Sequence, residues 1–146
     1  MAQPGGNDAD TIPEALALLS NCESHDEAAR AYHRVLYAIG NNHAGTYFPA
    51  VLEAIPFLGE IVEFGPDAAR EAALDALIDL VGSFCPEPGF ETIVTSQAGA
   101  SDLKLLVLNR VRELRPLARA TETSASPQSR IVQLAHDLLA LLDEEI

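Results

Sequence analysis

The chain has no tryptophan, a single methionine and two cysteines. Two cysteines, Cys22 and Cys85, cannot build the disulfide framework of a small secreted domain, and such usage suits a reducing compartment. Cys22-x-x-His25 has the spacing of half a zinc site, but no second pair follows it, so no metal and no cofactor is expected. Cations are scarce too. Nine Lys and Arg stand against 22 Asp and Glu, a formal net charge of −13. Phosphate contacts need clustered cations, so nucleic acid is not an expected partner. No apolar run reaches the length of a bilayer span. The N-terminus lacks the basic-then-apolar pattern of a secretory leader. A cytoplasmic protein with no membrane partner is expected. Missing as well are a P-loop, a Gly-rich dinucleotide turn, His-Glu-x-x-His and a nucleophile elbow. No catalytic residue is therefore assigned, and a non-enzymatic role is expected.

What is present is leucine and alanine at helical spacing. A chain of 146 residues suits one domain. It can bury roughly 68–70% of its unfolded surface, enough for a real core. The acidity has two readings. It sets up a field that would attract a basic protein partner, or it serves solubility alone.

The organising stretch is Thr46–Gly82. Phe48, Val51, Leu52, Ile55, Leu58, Ile61 and Val62 recur in steps of three and four, which lays an apolar stripe along a helix. Pro49 suits a first turn. Pro56 predicts a kink or short break just before it. Gly65 ends this helix and Pro66-Asp67 opens the next, with Leu74, Leu77, Ile78 and Val81 inward and Gly82 as its stop. Ser24–Gly40 laid under Pro66–Gly82 places Tyr32 on Leu74, Val35 on Leu77, Leu36 on Ile78, Ile39 on Val81 and Gly40 on Gly82. Pro127–Asp143 follows the same template more loosely. One helical hairpin cannot bury its stripes alone, so copies stacked on one another are expected.

Here the chain resembles the HEAT-repeat proteins, α-solenoids with a kinked first helix and a straight second one. Pro49, Pro56 and Leu58 carry the resemblance in the first helix, and Asp67, Arg70 and Leu74 in the second. More narrowly, Asn41–Val62, NNHAGTYFPAVLEAIPFLGEIV, is similar to a phrase of short bacterial HEAT-like proteins: His-x-Gly-Thr, an aromatic, small residues, then Pro-Phe-Leu. The resemblance implies an all-α fold, a short α-solenoid of about three helical hairpins with an irregular linker before the last. It also implies a protein-binding module of the immunity or antitoxin kind, whose partner is a basic domain of a cognate bacterial toxin. The alternative is a small helical-repeat scaffold or regulatory subunit without a toxin, possible as a homo-oligomer. A third reading, an enzyme or lyase-like helper, would rest on His43.

Along the chain, residues 1–10 read as a disordered polar tail, which leaves 11–146 as a single HEAT-like helical domain. Thr11 can cap a helix to about Ser20, with Ile12, Leu16 and Leu19 inward. Asn21–Glu23 is a turn. Ser24 with Glu27 forms a capping box for a helix to Ile39, stopped by Gly40. Asn41–Gly45 is a loop, and its His43 is a partner contact, a general base or a residue fixing the corner. In the second helix of the central hairpin Asp67, Glu71, Asp75 and Asp79 stand four apart with no lysine between them. This carboxylate ladder reads as a docking strip for a cationic partner or as a solvated face. Glu53, Glu60 and Glu63 enlarge the acidic area but face elsewhere.

Ser83–Ala100 breaks the rhythm, with Pro86 and Pro88 excluding a long helix. Phe84, Phe90, Ile93 and Val94 give it apolar character, so it either touches a partner, with Phe90 as the contact, or folds back over the core. Phe90–Ser96 would be a short helix or an extended piece. Ser101 or Asp102 caps a helix to about Ala120, with Leu103, Leu106, Val107, Arg110, Val111, Leu114 and Leu117 on its inner side and a kink at Pro116. Lys104, Arg110, Arg112, Arg115 and Arg119 make it the one basic stretch, able to pair with the acidic helices. Ser126-Pro127 opens the last helix, with Ile131, Leu134, Leu138 and Leu141 inward and His136 structural. Asp143-Glu144-Glu145 opposes the helix dipole, which predicts fraying.

Overall fold

The computed structural model describes residues 11–41, 43–95, 99–124 and 129–144. The expected tail at 1–10, the Ser126-Pro127 helix start and Glu145 lie outside these residues.

Helices α1 (Thr11–Ser20) and α2 (His25–Ile39) pack on each other across the turn Asn21–Ser24. Ser24 caps α2 as its sequence requires: its Oγ accepts from Glu27 N at 3.2 Å and lies 3.0 Å from the Glu27 carboxylate. The chain then makes a small ladder. Strand β1 (Gly40–Asn41) pairs antiparallel with β2 (Thr46–Tyr47), and β2 pairs parallel with β3 (Cys85–Pro86). Asn41 Oδ1 accepts from the backbone N–H groups of His43 and Ala44, and Gly45 turns the corner at φ +71°.

This ladder moves the start of the next helix. The apolar pattern begins at Phe48, yet α3 spans Val51–Phe64, because Thr46 and Tyr47 are committed to strand pairing. The N–H groups of Val51, Leu52 and Glu53 bond to the carbonyls of Phe48, Pro49 and Ala50, a tight turn that feeds the helix. No break occurs at Pro56: α3 stays helical through it. Gly65 and Pro66 lead into α4 (Asp67–Gly82), which agrees with the expected limits.

Helix α4 is the hub. Ala68, Ala69, Ala72, Ala73 and Ala76 are all buried, alongside Leu74, Leu77, Leu80 and Val81. Small side chains let neighbours approach from several sides, and α4 touches α1, α2, α3, α5 and α7. Helices α1 and α3 meet in one row, with α3 continuing to α5 and α6; α2, α4 and α7 form a second row. The sequence expectation of a mostly helical fold holds; among the described residues there are also five short strands, of which only β4 falls where an extended piece was one of the expectations.

The segment after α4 carries those strands. The sequence pattern leaves 83–100 irregular, with 90–96 as a short helix or an extended piece; in the structure β3 joins β2, and β4 (Thr92–Thr95), the extended alternative, pairs with β5 (Gly99–Asp102) as an antiparallel hairpin. Helix α5 (Leu103–Arg112) follows, capped by Asp102, whose carboxylate accepts from Leu105 N at 3.1 Å. The single helix expected to Ala120 is in fact two. The Pro116 ring needs the space of the Arg112 carbonyl and offers it no N–H, so α5 ends at Arg112. Helix α6 (Arg115–Ser124) then takes Pro116 in its first turn, where no N–H is needed. Leu103, Val107 and Val111 are buried, but Arg110 is exposed rather than inward. Helix α7 (Arg130–Glu144) packs on α6 and α4, with Ile131, Leu134, Leu138 and Leu142 buried; Leu141 lies at the edge of the core.

Candidate functional site

The ladder residues lie along α4 on the side flanked by α2 and α7. Twelve residues separate Asp67 from Asp79, which spans about 18 Å of helix axis. Each residue has its own setting. Asp67 is exposed at the first turn, 3.8 Å from Arg70, and Arg70 also donates from Nε to the Val62 carbonyl at 2.7 Å, which ties α4 to the end of α3. Glu71 is only 16% exposed and meets His25 Nδ1, at the start of α2, at 3.1 Å. Asp75 meets Arg130, at the start of α7, at 3.9 Å. Asp79 is half-buried, and burial raises its carboxyl above the usual aspartate value. Burial raises Asp75 too, with Arg130 pulling the other way.

From Glu71 to Asp79 the strip is therefore semi-desolvated, while Asp67 at its start stands in solvent. Among the described residues the four carboxylates share two guanidiniums and one imidazole. The Arg contacts are long, and Arg130 is itself largely exposed, so each such pair is worth about 0–1 kcal/mol. Counter-charges held this weakly exchange for a better-placed cation at little cost.

His43 and Phe90 do not join this strip's midpoint. His43 sits exposed in the β1–β2 turn. The turn is tied to the segment beyond α4: Cys85 N donates to the Gly45 carbonyl at 3.1 Å, and the Thr46 hydroxyl bonds the Glu87 carboxylate. Phe90 folds back, half-buried, with its ring edge-on to Phe48 at 5.5 Å and 82°. Both residues thus belong to the cap past the C-terminal end of α4, where Asp79 is the nearest rung. From the expected basic stretch, Arg115 meets Asp143, at the end of α7 rather than on the acidic helices α3 and α4, at 3.3 Å. His136 meets Glu122 at 2.9 Å. Among the described residues no group of three His, Cys, Asp or Glu is placed to hold a metal ion. No helix among them is long and apolar enough to cross a membrane.

Two features escaped the sequence reading. Tyr47, a β2 residue, is fully buried, and its hydroxyl has no hydrogen-bond partner among the described residues. Burial first, then the nearby Cys85 and Asp102, push that phenol far above its ordinary range. It borders a small cavity of about 290 Å³ under α5. The second is a groove of about 490 Å³ between α1 and α3. Its wall on α3 is the row Glu53, Phe57, Glu60 and Phe64; its floor and opposite wall include Leu16, Ile61, Pro13 and Ala17. The steps of four, three and four between those α3 residues were the available signal.

Comparison with known proteins returns no matching family model, no matching curated protein and no matching solved structure.

Proposed function

We propose that the chain is a protein-binding module that receives a basic partner along α4. The observation that carries this reading is the row Asp67, Glu71, Asp75 and Asp79, of which the last three are partly desolvated between α2 and α7, and which is under-supplied with cations among the described residues. Carboxylates in such a setting gain more from an incoming Lys or Arg than exposed ones do, because water screens them less.

The architecture in this reading is a short α-solenoid of three helical hairpins: α1 with α2, α3 with α4, and α5–α6 with α7. The two rows of helix contacts support it. In a stack of this kind the second helices line the binding face, which is the α2–α4–α7 row. The resemblance to short bacterial HEAT-like proteins supports a specific form of the function. It is an immunity protein that neutralises a cognate toxin by covering a basic active site.

Affinity capture on the full chain from lysate of the native host tests this. One basic protein is expected at low salt, weakened at high salt. Glu71→Lys with Asp75→Lys should weaken that complex at least a hundredfold, about 2.7 kcal/mol, while helicity by circular dichroism is kept. Binding that survives the double reversal sinks the reading, as does recovery of the chain alone.

A further inference from the structure

The groove between α1 and α3 is a second surface, and it shares no helix with the ladder. Its apolar content is unusually open: Phe57 is 52% exposed and Phe64 78%. Large aromatics left this open are informative when they form a continuous patch in a concave place. They do so here. Glu53, Phe57, Glu60 and Phe64 fall on one row of α3, alternating acid and aromatic over about 16 Å. The α1 wall supplies Pro13, Leu16 and Ala17. No Lys, Arg or His lines the groove among the described residues. Neither Glu53 nor Glu60 forms an ion pair among them.

We infer that this groove is a docking site for a basic amphipathic helix of a protein partner. The chemistry specifies the occupant on three counts. The apolar floor calls for side chains that repeat at i, i+3 or i+4, and i+7. The acidic wall calls for Lys or Arg flanking that stripe, since an acidic or neutral segment would leave Glu53 and Glu60 without partners. The walls are helices, whose interior backbone groups already bond within the helix, so an extended peptide finds no strand edge to join. A helix brings its own backbone hydrogen bonds. The chain's own N-terminal residues 1–10, MAQPGGNDAD, contain two aspartates, no Lys or Arg and little apolar bulk, so their composition opposes both demands.

The test uses the full chain and synthetic peptides of about four helical turns. One peptide places Leu at helical spacing with Lys on its flanks. A second has the same residues scrambled, and a third replaces Lys by Glu. Fluorescence anisotropy at ~0.15 M salt, where the screening length is about 8 Å, reads the binding. The Leu/Lys helix should bind at least tenfold more tightly than either control. Phe57→Ser with Phe64→Ser should remove at least tenfold of that affinity. Both rings are exposed, so the variant should melt like the parent. Glu53→Lys with Glu60→Lys should do the same while leaving the aromatics in place. Glu71→Lys with Asp75→Lys, on the other surface, should change it by less than about threefold at this salt. Equal binding by parent and Phe variant overturns the inference, because attraction to −13 of net charge would then explain everything. Equal binding of the acidic peptide overturns it as well. Two structural outcomes also overturn it: a dimer that the Phe substitutions dissolve, meaning a second copy fills the groove, and nuclear Overhauser contacts from residues 1–10 to either ring.

Discussion

Gly40 shows how much a single missing Cβ can decide. Its φ of −179° is ordinary extended backbone, so the residue is not there for an unusual conformation. It is there for space. A Cβ on Gly40 would lie 2.1 Å from the Thr46 carbonyl oxygen and 2.6 Å from Tyr47 Cα, both backbone atoms of the paired strand. Backbone in a ladder cannot step aside the way a side-chain tip can. Gly40→Ala should therefore cost about 3 kcal/mol or more, at or above the upper end of overpacking effects. Gly82, the residue that aligns with Gly40 in the repeat, behaves differently. A Cβ there meets only the tip of Leu141, at 3.1 Å, and that side chain can turn away. Alanine also favours the helix by up to about 1 kcal/mol. Gly82→Ala should thus be neutral or slightly stabilising in urea unfolding. If both substitutions cost the same, the two glycines serve the same role and the steric account of Gly40 fails.

At the scale of elements, α4 concentrates both the core and the acidic strip, and pH separates the two contributions. Asp79 lies in the last turn of α4, where a carboxylate also opposes the helix dipole. Its carboxyl is raised in the fold by burial, while in the unfolded chain it returns to the ordinary value near 4. Between those two values the native state holds more protons than the unfolded state. Stability from this group therefore falls as pH rises through that window, and the cost stays in place at neutral pH. Asp79→Asn should raise the melting temperature at pH 7 and change nothing near pH 3, where both forms are neutral. Asp75→Asn should gain less, because the Arg130 contact offsets part of the burial. A loss on Asp79→Asn at pH 7 would mean that the carboxylate has a stabilising partner.

The same elements show what was legible beforehand. The starts of α2 and α4 were readable because Ser24 and Pro66 are local signals, whereas Gly40 marks the end of α2 for a reason set by the paired strand β2. The inward stripe of α3 was readable from its period, and Phe57 and Phe64 fall outside that stripe. Apart from β4, which falls within the extended alternative for 90–96, the strands were not readable. Two residues, as in β1, β2 and β3, are too few to show alternation, and β2 to β3 joins positions about forty residues apart. Thr46 and Tyr47 look like the start of a helix until β3 claims them. Pro116 announced a disturbance, but its clash falls four residues upstream, so the helix divides at Glu113–Leu114 rather than at the proline. The ladder was legible as spacing; its partial burial was not, because His25 and Arg130 reach it from other helices. The groove needed α1 beside α3, which no local pattern supplies.

At the scale of the whole molecule, charge is the dominant feature. A compact chain of this length has a radius of gyration of about 15 Å. At ~0.01 M salt the screening length is about 30 Å, so each carboxylate feels all the others; at ~0.15 M it is about 8 Å, and only neighbours interact. Opposing this repulsion are ion pairs with at least one largely exposed partner each, two of which need a protonated histidine. Pairs of that kind contribute about 0–1 kcal/mol apiece. With a net charge of −13, repulsion outweighs them, so adding salt should stabilise the fold. Each kcal/mol moves the midpoint by roughly 2–4 °C for a chain of this size, so a rise of several degrees is expected between the two salt concentrations at pH 7. A basic partner acts through the same term. By neutralising the strip it should raise the midpoint most at low salt, and its effect should shrink as salt replaces it. A midpoint that falls with salt would show that the ion pairs outweigh the repulsion, and would remove the electrostatic driving force from the binding reading at once.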